Sequence, residues 1–284
     1  MRSPLLRKLR LLRRQIPRAQ RRLSASPEAY ERTPPVVANS FPKSGTHLLL
    51  QLLQSLPNTT HYGSFIATTP TITFTERSLE AHARLVSRIA PGELVAAHLY
   101  YDPQHAALLA GKRCVHYFIY RDPRDVVVSE AHYLTRMNRW HRLHRYFRRL
   151  PSDDDRISFS ILGNAAQPTP FDYPDVARRF ERYRGWLGRE DVMALKYEDL
   201  VSDRRADTVR RMVRYYLERT GPIADPDDLV RRALANVDGP ASHTFRSGKV
   251  GGWRDAFGAA HRREMKRVAG DLLIDLGYEA SLEW

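Results

Sequence analysis

Short apolar runs alternating with longer amphipathic segments constrain this chain most, because that alternation is the pattern of a parallel α/β sheet covered on both faces. It begins after Pro34-Pro35. The runs Val36 to Phe41, Glu93 to His98, Cys114 to Arg121 and Asp191 to Tyr197 are short, apolar and bounded by glycine, proline or charge, and they predict strands. Helices are expected over Thr46 to Leu56, Pro123 to Leu150, Pro174 to Leu187, Leu200 to Arg219 and Gly258 to Leu276. Pro151 to Tyr173 holds three successive acids and three prolines and reads as a long loop. The expected fold is therefore α/β, a central parallel sheet flanked by helices.

With 284 residues, 42% hydrophobic and 27% charged, the chain has the usage of an ordinary globular protein and enough length for a substantial core. No uncharged apolar stretch is long enough to span a bilayer. The single cysteine, Cys114, cannot form an internal disulfide, which fits a reducing compartment and a cytoplasmic location. The formal charge is +14, and residues 1–27 carry nine bases and no acid, which leaves 14 minus 9, or +5, for the rest. The chain thus divides into a basic arm, 1–33, and a mildly basic body, 34–284. Three readings of the arm stand side by side: a disordered tail, an Arg-rich transit segment, or a helix lying on an anionic membrane. The last uses Leu5, Leu9, Leu12 and Ile16, which recur at helical spacing, and would make the protein peripheral at the inner membrane surface.

In an open parallel sheet the ligand crevice lies outside the carboxyl ends of the strands. Those ends here are Lys43-Ser44-Gly45-Thr46, His98, Arg121 and Tyr197: a lysine with hydroxyls, an imidazole, a guanidinium and an aromatic ring. The first has the parts of an anion cradle, since Gly45 permits close backbone approach and the amides opening the next helix point at the ligand. It is no Walker A loop. The only Gly-Lys pairs, Gly111-Lys112 and Gly248-Lys249, are followed by Arg113 and Val250. At the third end Asp122 is a natural N-cap and Pro123 a natural first helical residue, and Ser129 lies two turns along. Late in the chain Arg246-Ser247-Gly248-Lys249-Val250-Gly251-Gly252-Trp253 concentrates glycine and cations. Taken singly, each has a plain alternative: a surface turn, a packed histidine, a basic loop.

Together, Pro42-Lys43-Ser44-Gly45-Thr46-His47-Leu48, Arg121-Asp122-Pro123-Arg124-Asp125 with Ser129, and Arg246 to Trp253 resemble, in order and spacing, three signatures of the sulfotransferase family, which uses 3'-phosphoadenosine 5'-phosphosulfate (PAPS) as donor. The likeness runs from about residue 36 to 279 and implies one domain of the P-loop-like sulfotransferase fold. It further implies that Lys43, Ser44, Gly45, Thr46 and His47 meet the 5'-phosphosulfate. Arg121, Ser129, Arg246, Ser247 and Gly248 would then hold the 3'-phosphate, and Tyr197 the adenine. His98, followed by Leu99, would be the catalytic base and Lys43 the stabiliser of the leaving phosphate. No metal is implied. Leu48, Ser247 and Gly252 depart from the family's tryptophan, lysine and aspartate, which puts the strength of donor binding in doubt. The family's dimer element is not recognisable in Arg254 to Arg263, so the oligomeric state is open.

The resemblance implies an acceptor hydroxyl or amine, on a small molecule, glycan or lipid. Arg136, Arg139, Arg142, Arg145 and Arg148 recur every third residue, with Trp140, Leu143, Phe147 and Leu150 as an apolar stripe. The plain explanation is a packed and solvated helix; the functional one is a lip for an anionic or amphipathic acceptor. Two rival classes are a nucleotide kinase, which needs magnesium and a triphosphate, and a noncatalytic basic module for nucleic acid, a partner the sulfotransferase reading does not expect.

Overall fold

The computed structural model describes residues 15–237 and 250–284. Five strands form one parallel sheet: β1 (Val36–Ser40), β2 (Phe65–Ala67), β3 (Leu94–His98), β4 (Val115–Tyr120) and β5 (Val192–Lys196), in the order β2-β3-β1-β4-β5. Every residue of β1 is buried. Val36 pairs with Leu94 on one side and Val115 on the other, so β1 is the centre from which the chain crosses first one way and then the other.

Side chains along a strand alternate between faces, and the core divides accordingly. Val37, Val95, Phe118 and Val192 pack in one apolar cluster, and Val36, Leu94, Val115 and Met193 in the other. Each fully buried side chain of this size contributes on the order of 1.5–3 kcal/mol. Both faces need cover, which is why the strands read as continuous apolar runs.

Helix α1 (Thr46–Leu53) buries Leu49, Leu50, Leu52 and Leu53. Helix α2 (Pro123–His132) is capped by Asp122, whose side chain accepts the Arg124 amide. The expected single helix from Pro123 to Leu150 is broken. It loosens into a π-helical turn, Tyr133–Met137, stops at Asn138, and resumes only over His144–Arg149. Side chains compete for the backbone here: Asn138 Oδ1 accepts the Trp140 amide at 3.2 Å, and His141 Nδ1 accepts the Leu143 amide at 3.1 Å. The apolar stripe is divided as well. Leu143 and Phe147 are fully buried, whereas Trp140 is among the most exposed large side chains described.

The expected loop Pro151 to Tyr173 contains helix α3 (Asp153–Leu162). Its three acids are the first turn of that helix, where carboxylates suit the positive end, and Ser152 and Asp155 form a reciprocal capping box. Helix α4 (Val176–Arg184) precedes β5, and α5 (Arg205–Thr220), α6 (Pro226–Ala235) and α7 (Ala259–Asp275) follow it. β2, Leu79–Ser87, Pro103–Gly111 and α6 were not anticipated; β2 has only three residues, and two of the helices start at an Asp-Pro step.

Residues 15–23 are helical and rest on the body. Arg18 Nε lies 2.8 Å from Glu93, a fully buried carboxylate at the start of β3 that also accepts the Ser64 hydroxyl and the Ala90 amide. The apolar positions Leu5, Leu9 and Leu12 lie outside the described residues.

Candidate active site

The turn after β1 carries two left-handed residues, Lys43 (φ 66°) and Gly45 (φ 99°). Only glycine takes such a φ without strain, and at Lys43 the cost is on the order of 1–2 kcal/mol. Gly45 is required twice over, because a Cβ there would lie 2.6 Å from Tyr197 Cδ2. Gly45 is also the N-cap of α1, and no side chain caps that helix. The amides of its first turn are therefore presented to whatever occupies the crevice.

Lys43 projects from this turn over the ring of Tyr133, with Nζ 3.7 Å from the centroid. Burial lowers its pKa to about 8; nearby Glu130 opposes the shift and Arg121 adds to it. Glu130 is held by an ion pair with Arg179 and by the hydroxyls of Ser160 and Tyr173 at 2.6 and 2.8 Å.

His98 ends β3. Its Nδ1 is 2.9 Å from the carbonyl oxygen of Ser40, an acceptor only, so Nδ1 carries the proton and Nε2 keeps its lone pair. The Ser40 hydroxyl is 3.1 Å from the same nitrogen and 2.7 Å from Thr46 Oγ1, and the edge of Phe65 closes the other side. Burial pushes the imidazole down to about 4, with Lys43 and His47 adding to the effect against the Ser40 hydrogen bond. It is a neutral base throughout the physiological range.

Arg121 ends β4. Its guanidinium lies 4.5 Å above the Tyr197 ring and 3.2 Å from Asp125. Asp125 also accepts the backbone amides of Gly251 and Trp253, at 2.9 and 3.0 Å, and so pins the chain after the late glycine-rich segment to the start of α2. Arg124 is fully buried between Trp253 and Trp284 and paired with Asp122 and Glu279, which makes it a brace and not a ligand.

One cavity of about 1060 Å³ gathers these groups. Lys43, Gly45, Thr46 and His47 from the turn, His98, Arg121, Ser129 and Tyr197 all line it. Ser44 does not: it is fully buried and its hydroxyl has no hydrogen-bond partner among the described residues. Arg246, Ser247 and Gly248 lie outside the described residues. One end of the cavity, around Leu48, Leu200 and Val237, is apolar; the other is walled by Phe65, Phe74, Tyr100, Asn138, His141 and Tyr183. Among the described residues no cluster of His, Cys, Asp or Glu is arranged to hold a metal ion.

Sequence reasoning missed the supporting groups Ser40, Glu130 and Tyr133, and quoted Asp125 within the second signature without giving it a role. Two had a signal. Tyr133 follows Ser129 by four positions and follows Glu130 by three, spacings that put neighbours on one face of a helical run.

The sulfotransferase domain family matches residues 33–223. A guinea pig (Cavia porcellus) 3-alpha-hydroxysteroid sulfotransferase is 25% identical over 264 residues, which cover 81% of this chain and 80% of that protein. The crystal structure of mouse sulfotransferase SULT7A1 complexed with PAP superposes with a TM-score of 0.59 at 18% identity, covering 86% of each chain. Retinol dehydratase in complex with androsterone and the inactive cofactor PAP gives 0.55 at 17% identity, over 85% of this chain and 81% of that one. These structures share the parallel sheet and its flanking helices.

Proposed function

The chain belongs to the sulfotransferase family, and from that premise we propose that it moves a sulfuryl group from PAPS to a hydroxyl or amine of a small-molecule, glycan or lipid acceptor. The observation that carries this is the convergence of Lys43, His98 and Arg121, from three adjacent strand ends, on one cavity. The donor's chemistry fits those residues. A bisphosphorylated nucleotide needs two separated anion sites, and the Lys43 to Thr46 turn with the uncapped α1 terminus is one, while Arg121 with Ser129 is the other. Tyr197, which lines the same cavity, is the residue that would meet the base in this reading. Arg246, Ser247 and Gly248 complete the second anion site in this reading.

The acceptor oxygen attacks sulfur, the bond from sulfur to the bridging phosphate oxygen breaks, and adenosine 3',5'-bisphosphate leaves. The acceptor's proton passes to His98 Nε2, whose tautomer the Ser40 carbonyl sets. Protonated Lys43 neutralises charge growing on the departing phosphate oxygen. Both groups are poised for those roles: the base is neutral down to about pH 4, and the ammonium is half-titrated near pH 8. No step in this scheme calls for a metal. The proposed setting is the cytoplasm, with the arm in peripheral contact with the inner membrane surface; no helix among the described residues is long and apolar enough to cross a membrane.

The test is transfer of radiolabelled sulfate from PAPS to extracted lipids, glycans and small phenols, with Lys43→Ala and His98→Ala as controls. Each substitution is expected to lower turnover by about a hundredfold or more. In parallel, calorimetry should show adenosine 3',5'-bisphosphate binding well above adenosine 5'-monophosphate and above ATP with magnesium. A His98→Ala protein with native circular dichroism and full activity, or equal affinities for the nucleotides, refutes the reading.

A further inference from the structure

We propose that the mouth of the cavity is a docking surface for an anionic lipid bilayer, so that the acceptor is an amphiphile taken from the membrane plane. The membrane contact stands apart from the chemistry; only the identification of the acceptor rests on the sulfotransferase reading.

Large apolar side chains left in water collect around this mouth. Phe65, 48% exposed, lines the cavity itself. Ile72, 69% exposed, stands between the lining residues Thr71 and Phe74. Met137 and Trp140, 38% and 85% exposed, flank the lining residue Asn138, and His141 follows. The two loops are joined: the Arg142 amide donates to the Thr71 carbonyl at 3.1 Å, and the Phe74 and His141 rings meet edge to face at 5.2 Å. The apolar cluster is thus one built feature.

Cations surround it. From residue 131 to 152 the sequence has six arginines and no acid, and all six, Arg136, Arg139, Arg142, Arg145, Arg148 and Arg149, are exposed. Arg136 is paired with exposed Asp153, Glu76 lies beyond Phe74 on the opposite loop, and exposed Asp172, which lines the cavity, is paired with Arg182; the five arginines from 139 to 149 have no acid among them. An exposed tryptophan beside aliphatic residues and ringed by guanidinium groups matches the boundary between acyl chains and anionic headgroups, where a ring sits with one face apolar and one edge wet. A nucleic acid would use the arginines and Trp140, but Ile72 and Met137 offer nothing to a base. A bilayer uses all of them.

The experiment is cosedimentation of the full chain at low salt with vesicles of phosphatidylcholine alone, or with about a third phosphatidylglycerol. Trp140 supplies a second readout, because Trp186 and Trp253 are buried and Trp284 is half-buried. Binding to anionic vesicles, its release by salt, and a blue shift in emission that Trp140→Phe removes are expected. Arg139→Gln with Arg145→Gln should weaken partition about fivefold for each arginine, and Trp140→Ala with Ile72→Ser should weaken it again, all with unchanged melting. Deletion of residues 1–14 should leave the blue shift in place. The proposal is overturned if anionic vesicles are not bound, if binding survives the rim substitutions, if it vanishes with the deletion alone, or if labelled RNA is bound in their place. A chain that binds adenosine 3',5'-bisphosphate but ignores vesicles sinks this proposal and leaves the donor reading; the converse result sinks the donor reading alone.

Discussion

Replacing Gly45 by alanine should damage the protein through two separable effects. The first is local: φ at Gly45 is +99°, a region that costs an L-residue about 1–2 kcal/mol. The second is steric. The new Cβ would lie 2.6 Å from Tyr197 Cδ2, against 3.4 Å at the start of ordinary contact, so the ring must retreat by the difference, 0.8 Å. Tyr197 has little room, being buried beneath the Arg121 guanidinium at 4.5 Å, and overpacking of this kind costs about 1–3 kcal/mol. The sum, about 2–5 kcal/mol, corresponds to a melting temperature lower by roughly 5–15 °C for a chain approaching this size. In a Tyr197→Ala background the steric part disappears and only about 1–2 kcal/mol remains, which makes the two positions coupled by about 1 kcal/mol or more. Thermal or denaturant unfolding of the four proteins measures both numbers. Equal costs of Gly45→Ala in the two backgrounds, or no cost in either, would refute the account of this turn.

Activity should vary with pH as a plateau. His98 stays neutral above about 4, so no acid-side loss is expected before that value, and Lys43 loses its charge through about 8, so turnover should fall as pH rises past it; a profile still climbing at pH 9 contradicts the role of Lys43. Stability has the opposite sensitivity: His98, His116 and His141 are held neutral, at about 4, 3 and 4, while the unfolded chain takes up their protons near 6.5. The unfolded state therefore binds more protons between those values, and each imidazole should remove about 1.4 kcal/mol of stability per pH unit below 6.5. Flat melting temperatures from pH 6.5 to 4.5 would disprove this. Asp125→Ala removes the acceptor shared by Arg121 and the Gly251 and Trp253 amides, and should weaken adenosine 3',5'-bisphosphate by at least tenfold, which is about 1.4 kcal/mol; calorimetry showing native affinity would leave Asp125 without that role.

The sheet was legible because four strands announce themselves twice, as apolar runs and by the chemistry at their ends. β2 was not: three residues at a sheet edge carry no periodicity, and Phe65, the first, is exposed. The three acids of α3 illustrate how one composition serves two states, since carboxylates that look like a solvated loop are equally the first turn of a helix. The break after Met137 depends on contacts no window of sequence reveals, among them His144 Nδ1 with the Leu134 carbonyl at 2.6 Å. Of the candidate site, Lys43, His98 and Arg121, which the fold brings to one cavity, were visible because charged and imidazole groups stand out at the ends of apolar strands. Ser40 was invisible for a physical reason: it positions His98 through its backbone carbonyl, which every residue possesses.

The chain contains six lysines against forty arginines among its 46 cations, and a guanidinium is not a nucleophile near neutrality. The amine of Lys43, brought down to about 8, is one. An amine-reactive reagent applied at that pH meets few side-chain competitors, and the Lys43 amine, comparable in basicity to a chain α-amine, stands inside the cavity. Protection of Lys43, read by peptide mass, then becomes a measure of occupancy that requires no knowledge of the acceptor. A library of candidate alcohols can be ranked by how each one shields a single nitrogen.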